Sequence, residues 1–403
     1  MTTLTAAMTR NVRIHPWRLF FQNLLFWQAT WFLYFQQELS AAEAILLYAV
    51  FDLTVTALEV PSGYMSDRIG RRFTLICSGI AFAAGSALIT VGGAFWVFVF
   101  GQMLLGAGSA FNSGTDSALL FQSLSANKRE DEMEAQAIRA WRFNFTALAL
   151  SAVIGGFAAQ LSGALPFAMS ALAMCVTLLL ALRMTEPPSD DAPVTSEMQR
   201  FRFLMGRFAN PALLWIFCVG VLMYGFSHLP FVFGQPFIAE TLQGTGYEAE
   251  APIVSGITTA LMMGLSLVVS LFAPGLRAKF GLGAILLLAF GMQIGLTGAL
   301  AVFGSVFAIA LLLLRMVPDS LSTPFIQAHL QPLLGDESRA TFLSIKSLAG
   351  RLLFAASLWI ASLNTAQIGE MPLGDIQMIL SWYAVIGLAV FATLLIALLR
   401  VRL

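Results

Sequence analysis

Charged residues and cysteines are scarce in this sequence. Asp, Glu, Lys and Arg make up only 11% of its 403 residues, against about 25% in a typical soluble domain. Its 3 cysteines all lie in apolar stretches, so we expect no disulfide framework. A P-loop lysine motif, a Cys-x-x-Cys pair and a His-x-x-x-His spacing are also missing. We therefore predict no cofactor, no metal site and no enzymatic activity. The formal net charge of +0 gives no reason to expect a nucleic-acid partner.

Long apolar stretches, in contrast, are abundant. Residues 73–100, FTLICSGIAFAAGSALITVGGAFWVFVF, carry no formal charge over 28 positions, and about 20 apolar residues suffice to cross a bilayer. Within lipid the backbone must satisfy its own hydrogen bonds, so spanning segments are helices or closed barrels. The apolar runs are long and do not alternate, which favours helices. We predict an all-α polytopic membrane protein, embedded in the lipid bilayer, with twelve transmembrane helices in two pseudo-symmetric six-helix bundles.

The predicted spans fall into two groups of six. They lie near 17–38, 44–66, 73–93, 95–122, 138–161 and 166–184, and then near 212–240, 252–273, 282–303, 305–333, 341–363 and 376–399. We accordingly predict an N-terminal bundle at 1–184, a cytoplasmic linker at 185–210 and a C-terminal bundle at 211–403. Apolar residues at 201, 204, 205 and 208 have helical spacing, which predicts a short amphipathic helix in the linker. A disordered linker is the alternative.

The basic residues indicate how the chain is oriented. Lys and Arg are concentrated in the loops after spans 2, 4, 6, 8 and 10, whereas the loops between them have none. Arginines also precede the first span and follow the last one. Since cytoplasmic loops carry an excess of Lys and Arg, we predict that both termini are cytoplasmic and that the protein lies in the inner membrane.

A dense group of charges, GYMSDRIGRR at 63–72, lies in the loop between spans 2 and 3. Its pattern, G-x-x-x-D-R-x-G-R-R, resembles the signature loop of the major facilitator superfamily. A plain positive-inside loop, which is the alternative, does not require this order. A degenerate copy, PGLRAKFG at 274–281, follows six spans later with Ala278 in place of the acid. Such a copy is expected if two six-helix halves arose from one ancestor.

Further stretches resemble a bacterial branch of this superfamily that contains drug and metabolite exporters. They are EVPSG before the loop, GAGSAFNSGTDSALLFQSL in span 4 and RATFLSIKSLAGRL entering span 11. The resemblance covers essentially the whole chain and implies two bundles that rock about a midplane cavity. It also implies that the loop is a gate that locks the halves together on the cytoplasmic side. The implied gating residues are Gly63, Asp67, Arg68, Gly70, Arg71 and Arg72.

Ionisable residues inside the spans are the candidates for coupling. Each costs roughly 2.5–3.5 kcal/mol to insert, so each should have a partner or a function. Asp116 in the glycine-rich span 4 is our first candidate for a proton-coupling acid, and Asp52 in span 2 is the second. The alternative for Asp116 is a permanent ion pair with an arginine such as Arg142.

One position departs from the exporters that the chain resembles. Those proteins have an arginine four residues before a Gly-x-Gly-x-Ala stretch in span 4, and Gln102 stands there in this chain. The arginine that the family links to proton coupling is therefore absent. A different carboxylate, or transport without proton coupling, is the alternative.

Several residues are candidates for binding a substrate. Arg142 and Arg351 share a register in spans 5 and 11 and could hold an anionic group, with capping of helix ends as the alternative. Arg315 and Asp319, four residues apart in span 10, form either a functional pair or an internal salt bridge. The uncharged candidates are Asn23, Gln28, Trp31, Asn112, Asn144, Tyr224, His228 and Gln235.

These features together predict a secondary transporter that works by alternating access. The predicted substrate is a small amphipathic organic solute, the predicted coupling ion is the proton, and the predicted process is efflux by an antiporter. Uptake of an organic solute is the first alternative, and a non-transporting membrane sensor is the second. We expect a monomer.

Overall fold

The computed structural model describes residues 3–188, 210–333, 336–363 and 371–401. Within these residues the regular structure is helical and contains no strand, which confirms the all-α fold class. The linker helix predicted around residues 201–208 lies outside the described residues.

Eight α-helices lie in residues 3–188. They are α1 (Thr3–Gln22), α2 (Trp31–Gln36), α3 (Ala41–Arg68), α4 (Arg71–Val91), α5 (Phe95–Asn112), α6 (Thr115–Ser125), α7 (Met133–Leu161) and α8 (Leu165–Arg183). Local sequence sets their limits, as the start of α3 illustrates. Ser40 Oγ accepts a hydrogen bond from Glu43 N at 3.2 Å, and Glu43 Oε2 accepts one from Ser40 N at 2.9 Å. This capping box satisfies two amide groups that the helix itself leaves unpaired.

Seven α-helices lie in the described residues from 210 onward. They are α9 (Pro211–Val232), α10 (Gly234–Leu242), α11 (Ala251–Phe280), α12 (Leu282–Val302), α13 (Val317–Leu333), α14 (Asp336–Ser362) and α15 (Leu373–Leu398). α9 starts with a proline after Asn210, whose Oδ1 accepts from Ala212 N at 3.0 Å. A 3-10 helix at Val306–Leu314 precedes α13.

Eleven helical segments of the described chain are long and apolar enough to cross a membrane. The first predicted span, near 17–38, is interrupted: α1 ends at Gln22, a 3-10 helix covers Phe26–Ala29, and α2 follows. Just after α1, Asn23 Nδ2 donates to Leu19 O at 2.8 Å. Asn23 N also donates to Leu19 O, at 3.0 Å, so the helical hydrogen-bond pattern reaches Asn23, and the break lies between Asn23 and Phe26.

The chain divides into two compact units. Unit 1 takes in the described residues of Met1–Asp191 and Pro252–Ala260, and unit 2 those of Ala192–Ala251 and Leu261–Leu403. The start of α11 therefore belongs with unit 1, where Gly256 lies so close to Ala152 O of α7 that a Cβ has no room. Small residues at such crossings let membrane helices approach closely. The bundle limits predicted from the sequence remain predictions.

Each unit has its own aromatic core. In unit 1 the ring of Phe35 lies 5.2 Å from that of Phe98 and 5.9 Å from that of Phe167, and all three side chains are fully buried. In unit 2 the rings of Phe226 and Phe290 are 5.3 Å apart. Rings at these separations attract one another beyond simple burial of area.

The outer surfaces of the helices are apolar. Leu161 in unit 1 is 83% exposed, and Phe307 in unit 2 is 91% exposed, among many other large apolar side chains. A soluble protein rarely exposes apolar surface on this scale. Lipid contact accounts for it, as expected for a multi-pass membrane protein.

Candidate functional site

The fourth span is broken next to Asp116. α5 ends at Asn112, Gly114 has a φ of 73°, and α6 begins at Thr115. Glycine adopts this left-handed conformation at little cost, so the sequence allows the break here. Asp116 consequently lies in the first turn of α6, where the helix dipole and unpaired N–H groups favour a carboxylate.

Arg18 of α1 supplies the cation at this break. Its side chain is buried, and its Nη2 lies 3.8 Å from Asp116 Oδ2. The same Nη2 donates to Asn112 Oδ1 at 3.0 Å, and Nη1 donates to Gln22 Oε1 at 2.7 Å. A buried charge is tolerated when it is both paired and hydrogen-bonded. Arg18 meets both conditions, and it joins α1 to α5 and α6.

His15 lies one turn before Arg18 on α1. It is 3% exposed, and its ring is close enough to Asp116 and Arg18 to interact electrostatically with both. Its Nδ1 is buried and has no hydrogen-bond partner within the described residues. We refer to His15, Arg18, Gln22, Asn112 and Asp116 as the unit 1 charge cluster.

Sequence reasoning found Asp116 and Asn112 but missed the three members on α1. An ion pair of Asp116 with an arginine, which was the alternative, is present in this structure, but the arginine is Arg18; Arg142, the example given for it, is exposed on α7. Arg18 reads as an ordinary basic residue that flanks the first span. The signal that could have identified it is the spacing of His15, Arg18 and Gln22, which puts all three on one face of a helix.

Two uncharged candidates of unit 1 make contacts that stabilise the fold. Gln28 Nε2 donates to Leu148 O at 2.7 Å and to Ser151 Oγ at 3.2 Å, which fastens the break after α1 to α7. Trp31 is 2% exposed, and its ring lies 5.3 Å from that of Phe32. Asn23, described above, binds its own helix.

The other unit 1 candidates lie on α3 and α7. Asp52 is 1% exposed in the middle of α3. Asn144 is half-buried on α7, and its Oδ1 has no hydrogen-bond partner within the described residues. Neither residue is a member of the unit 1 charge cluster. The substrate and coupling roles of these residues remain predictions.

The loop at 63–72 is fastened by a residue from the end of α8. Glu186 Oε1 accepts from Arg71 N and Glu186 Oε2 accepts from Arg72 N, both at 2.7 Å. These are the first two amides of α4, which have no partner inside the helix. Arg72 Nη2 in turn donates to Leu182 O at 2.9 Å. Glu186 therefore caps α4, a contact that no local pattern predicts because the two residues are 115 positions apart.

The remaining motif residues have distinct surroundings. Asp67 Oδ1 lies 3.8 Å from Arg71 Nη2, one turn apart, and its side chain is 74% exposed. Arg68 lies over the ring of Tyr64, with Cζ 5.8 Å from the centroid. An added Cβ at Gly63 would meet nothing within 4 Å among the described atoms. Gly63 therefore makes no close helix contact among the described atoms.

The two copies of the loop share a backbone feature. Gly70 has φ 128° and ψ 149°, and Gly281 in the degenerate copy has φ 83° and ψ 167°. Both precede the first residue of a helix, and both conformations are ones that glycine alone adopts readily. The two copies differ in the atoms that surround the glycine. A Cβ added at Gly70 would lie 3.0 Å from the Glu186 carboxyl carbon, whereas a Cβ added at Gly281 would have no atom within 4 Å.

A cavity of about 590 Å³ lies beside Glu186, bordered by the middle of α1, the start of α4 and the end of α8. Its lining residues are Arg10, Arg72, Leu182, Arg183, Met184, Thr185 and Glu186. None of the predicted substrate-binding residues is among them. The cavity therefore belongs to the basic helix ends and not to the predicted substrate site.

Unit 2 places its candidate residues around α9. Arg315 follows the 3-10 helix, and its Cζ lies 4.8 Å from the ring centroid of Phe231. Asp319, in the first turn of α13, accepts a hydrogen bond from Gln293 Nε2 at 3.5 Å and is close enough to Arg315 to interact electrostatically. Gln293 of α12 is thus the hydrogen-bond partner of Asp319.

A second group of unit 2 residues lies between α9 and α14. The rings of Tyr224 and His228 are 4.2 Å apart, and His228 Nδ1 lies 2.7 Å from Tyr224 O. Arg351 Cζ lies 5.4 Å from the Tyr224 ring centroid, and Arg351 Nε donates to Ser347 Oγ at 3.3 Å. Gln235 is 5% exposed on α10. The structure therefore brings Tyr224, His228 and Arg351 together.

These helices and buried charges define a class of protein, the polytopic membrane transporters. The sequence model of the Major Facilitator Superfamily matches residues 18–358, and the chain belongs to that family.

Known relatives match parts of the chain, and solved structures match its fold. Over 119 residues it is 34% identical to the inner membrane transport protein YajR of Escherichia coli K12. The matched stretch covers 28% of this chain and 24% of YajR. Over 139 residues it is 30% identical to the class B tetracycline resistance protein of Escherichia coli, covering 34% of this chain and 33% of that protein. The matched stretches thus span about a quarter and a third of these relatives.

The fold also resembles solved transporters of low sequence identity. The crystal structure of the nucleoside transporter NupG is 14% identical with a TM-score of 0.77, covering 96% of this chain and 99% of that one. The crystal structure of the D-xylose-proton symporter is 17% identical with a TM-score of 0.65, covering 94% and 96%. At such identities the likeness establishes the fold.

Proposed function

We propose that this transporter exports a small amphipathic organic solute in exchange for protons, by alternating access of two helical units. The observation that carries the proposal is the buried ion pair of Arg18 and Asp116 at the break in the fourth span. The partial match to a tetracycline resistance protein supports export. The aromatic residues around Tyr224 and Phe231 suit an amphipathic solute.

The unit 1 charge cluster suits the exchange of a proton. The Asp116 side chain is 19% exposed, whereas that of Arg18 is 1% exposed, so the acid is the member that water can reach. As a carboxylate, Asp116 pairs with Arg18. When it is protonated the pair is lost, and Arg18 keeps its hydrogen bonds to Gln22 and Asn112. Protonation of Asp116 therefore weakens the contact between α1 and α6, and deprotonation strengthens it. Arg18 in this way supplies a cation beside span 4, where Gln102 replaces the arginine of related exporters.

The test is a tolerance screen in a bacterial host stripped of its own efflux pumps. The host expresses the wild-type chain, Asp116→Asn or the matched control Asp131→Asn, whose parent acid is exposed in a 3-10 turn outside the spans. The panel contains antibiotics, dyes, siderophores and metabolite analogues. We expect raised tolerance to some compounds with the wild type and the control, and loss of that tolerance with Asp116→Asn at equal expression.

Two other outcomes would contradict the proposal. New sensitivity to a compound would indicate uptake. Equal tolerance with Asp116→Asn and the wild type would show that Asp116 does not couple transport to protons. Acidification of proteoliposomes, followed with a pH-sensitive dye during transport of the identified compound, then measures the proton exchange directly.

We further propose that both termini are cytoplasmic and that the loop at 63–72 is the cytoplasmic gate. The distribution of Lys and Arg between alternate loops supports this orientation. Fusions of alkaline phosphatase and green fluorescent protein to the C-terminus test it, since each reporter is active on one side only. For the gate, Asp67→Asn should slow transport of an identified substrate without weakening its binding.

A further inference from the structure

One face of α14 packs along α9. It consists of Phe342, Lys346, Gly350 and Phe354, which recur every four residues. Phe342 and Phe354 are buried, and a Cβ at Gly350 would lie 3.0 Å from Tyr224 Cβ. Lys346 thus occupies a position in a row of packed residues where an apolar side chain would be expected.

Lys346 lies well inside α14, ten residues from its start at Asp336. A Cβ at Gly220 of α9 would be 2.8 Å from Lys346 Cδ, so the lysine stem runs directly over this glycine. Gly220 is nine residues from the start of α9 at Pro211, or about 14 Å at the rise of an α-helix. The contact therefore lies well inside α9, away from both of its ends.

The ammonium group of Lys346 is not neutralised within its own unit. The side chain is half-buried, and the described part of the chain offers it neither an ion pair nor a hydrogen bond. A lysine that serves only lipid contact extends its amine to the membrane surface. Lys346 instead lies against α9, so lipid contact does not explain it.

A second cation reaches the same part of α9. Arg351 lies over Tyr224, and Tyr224 follows Gly220 by four residues, about 6 Å along the helix. Away from the helix ends, the described spans of unit 2 carry Arg315, Lys346 and Arg351 but only one carboxylate, Asp319. The interior positions of these helices therefore carry more basic than acidic side chains.

We infer that Lys346 and Arg351, along the contact of α9 with α14, bind the carboxylate or phosphate group of an amphipathic organic anion, which is the transported substrate. A guanidinium pairs with either group through two parallel hydrogen bonds, and an ammonium adds a compact charge. Tyr224, which is half-buried and lies under Arg351, provides aromatic surface for the rest of the molecule. The inference rests on the proposed transport function and adds the charge of the substrate to it.

The experiment measures binding to the purified full-length chain in detergent, without a proton gradient. Thermal unfolding is followed with matched acid and amide probes, phenylacetate with phenylacetamide and indole-3-acetate with indole-3-acetamide, and with phenyl phosphate. We expect the acids to raise the unfolding temperature and the amides not to. Stronger stabilisation by phenyl phosphate than by phenylacetate would assign a phosphate substrate, and the reverse a carboxylate.

Variants test whether the stabilisation by anions depends on Lys346. Lys346→Met should weaken the apparent affinity for the preferred anion at least tenfold, whereas Lys279→Met, at an exposed helix end, should leave it unchanged. Gly220→Ala is the second variant: its methyl group must displace the lysine stem while alanine favours the helix. We expect it to weaken anion binding several-fold even if Lys346→Met fails to fold.

Two results would overturn the inference. One is a wild-type chain that does not prefer acids over amides. The other is anion binding that survives in both Gly220→Ala and any folded Lys346→Met protein. Because this assay has no proton gradient, its result is separate from that of the Asp116 tolerance screen, and either proposal can fail alone.

Discussion

The two units differ in whether a cation inside their helices has an ion-pair partner. In unit 1, Arg18 has a carboxylate 3.8 Å away and two amide oxygens within 3.0 Å, all from its own unit. In unit 2, Lys346 has no ion-pair partner among the described residues and lies over a glycine. The first arrangement holds three helices together, and the second leaves a charge to be neutralised from outside the unit.

This difference shows that the repeat preserves helices and turns but not charges. Gly70 and Gly281 keep related conformations in the two copies of the loop, whereas the acid of the first copy is replaced by Ala278 in the second. Backbone geometry is set by the packing that both halves need. Buried charges are expensive, so they are kept where each half has its own use for them.

Arg18→Met should have the largest effect. Breaking a buried, hydrogen-bonded ion pair by removing one partner costs about 3–5 kcal/mol, and it would also leave Asn112 and Gln22 without their donor. We expect a corresponding loss in the free energy of unfolding, measured by denaturation in detergent micelles. Arg10→Met, at an exposed position of the same helix, is the control. Equal stability of the two variants would mean that the cluster does not stabilise unit 1.

Gly70→Ala and Gly281→Ala compare the two copies of the loop. Each forces an alanine into a conformation that costs about 1–3 kcal/mol. At Gly70 the methyl group would also press on the Glu186 carboxyl and weaken its bonds to Arg71 N and Arg72 N. Gly70→Ala should therefore be the more destabilising change in the same unfolding assay. Indistinguishable losses would show that Glu186 adds nothing to the first copy.

Lys346→Met should stabilise the ligand-free protein, in contrast to Arg18→Met. The substitution removes an uncompensated charge from an apolar setting and keeps the length of the side chain, with an expected gain of about 1 kcal/mol. The same substitution should therefore raise the free energy of unfolding and weaken anion binding, because residues needed for function are often not the most stabilising ones. A marked loss of stability would indicate that Lys346 has a structural partner.

The smallest effect concerns two exposed glutamates in 3-10 turns. Arg129 donates to Glu132 at 2.6 and 2.7 Å, and this lowers the pKa of the Glu132 carboxyl below its ordinary value of 4.5. The pKa of Glu248 in unit 2 is lowered by backbone N–H groups instead. Since both carboxyls have depressed pKa values, each stabilises the fold at higher pH. That contribution falls away as the pH drops below about 4.5 through the folded pKa.

The stability contributions of Glu132 and Glu248 should differ in their dependence on salt concentration. Added salt should weaken the contribution of the exposed Glu132–Arg129 pair, because such pairs are screened, and should leave that of Glu248 nearly unchanged. The check compares Glu132→Gln and Glu248→Gln with the wild type in acid unfolding at low and high salt. The same salt response at both sites would refute the assignment of Glu132 to an ion pair.

Much of this molecule was predictable from local sequence. Uninterrupted apolar length identified the spans, and the spacing in GYMSDRIGRR identified the family. Asp116 was identified because an acid inside an apolar helix is costly. The breaks were harder to predict: the helix of span 4 is interrupted at the single residue Gly114, and span 1 is interrupted after α1, which apolar length does not register.

The sequence by itself determined the helical class, the family and the presence of charges that the membrane makes expensive, because hydropathy and motif spacing are local properties. Only the tertiary structure decided which groups meet. It paired Asp116 with Arg18 and not with Arg142, placed Glu186 on the start of α4, and set Lys346 over Gly220. Each of these contacts joins distant segments, so it depends on the packing and crossing of whole helices, which no local pattern encodes.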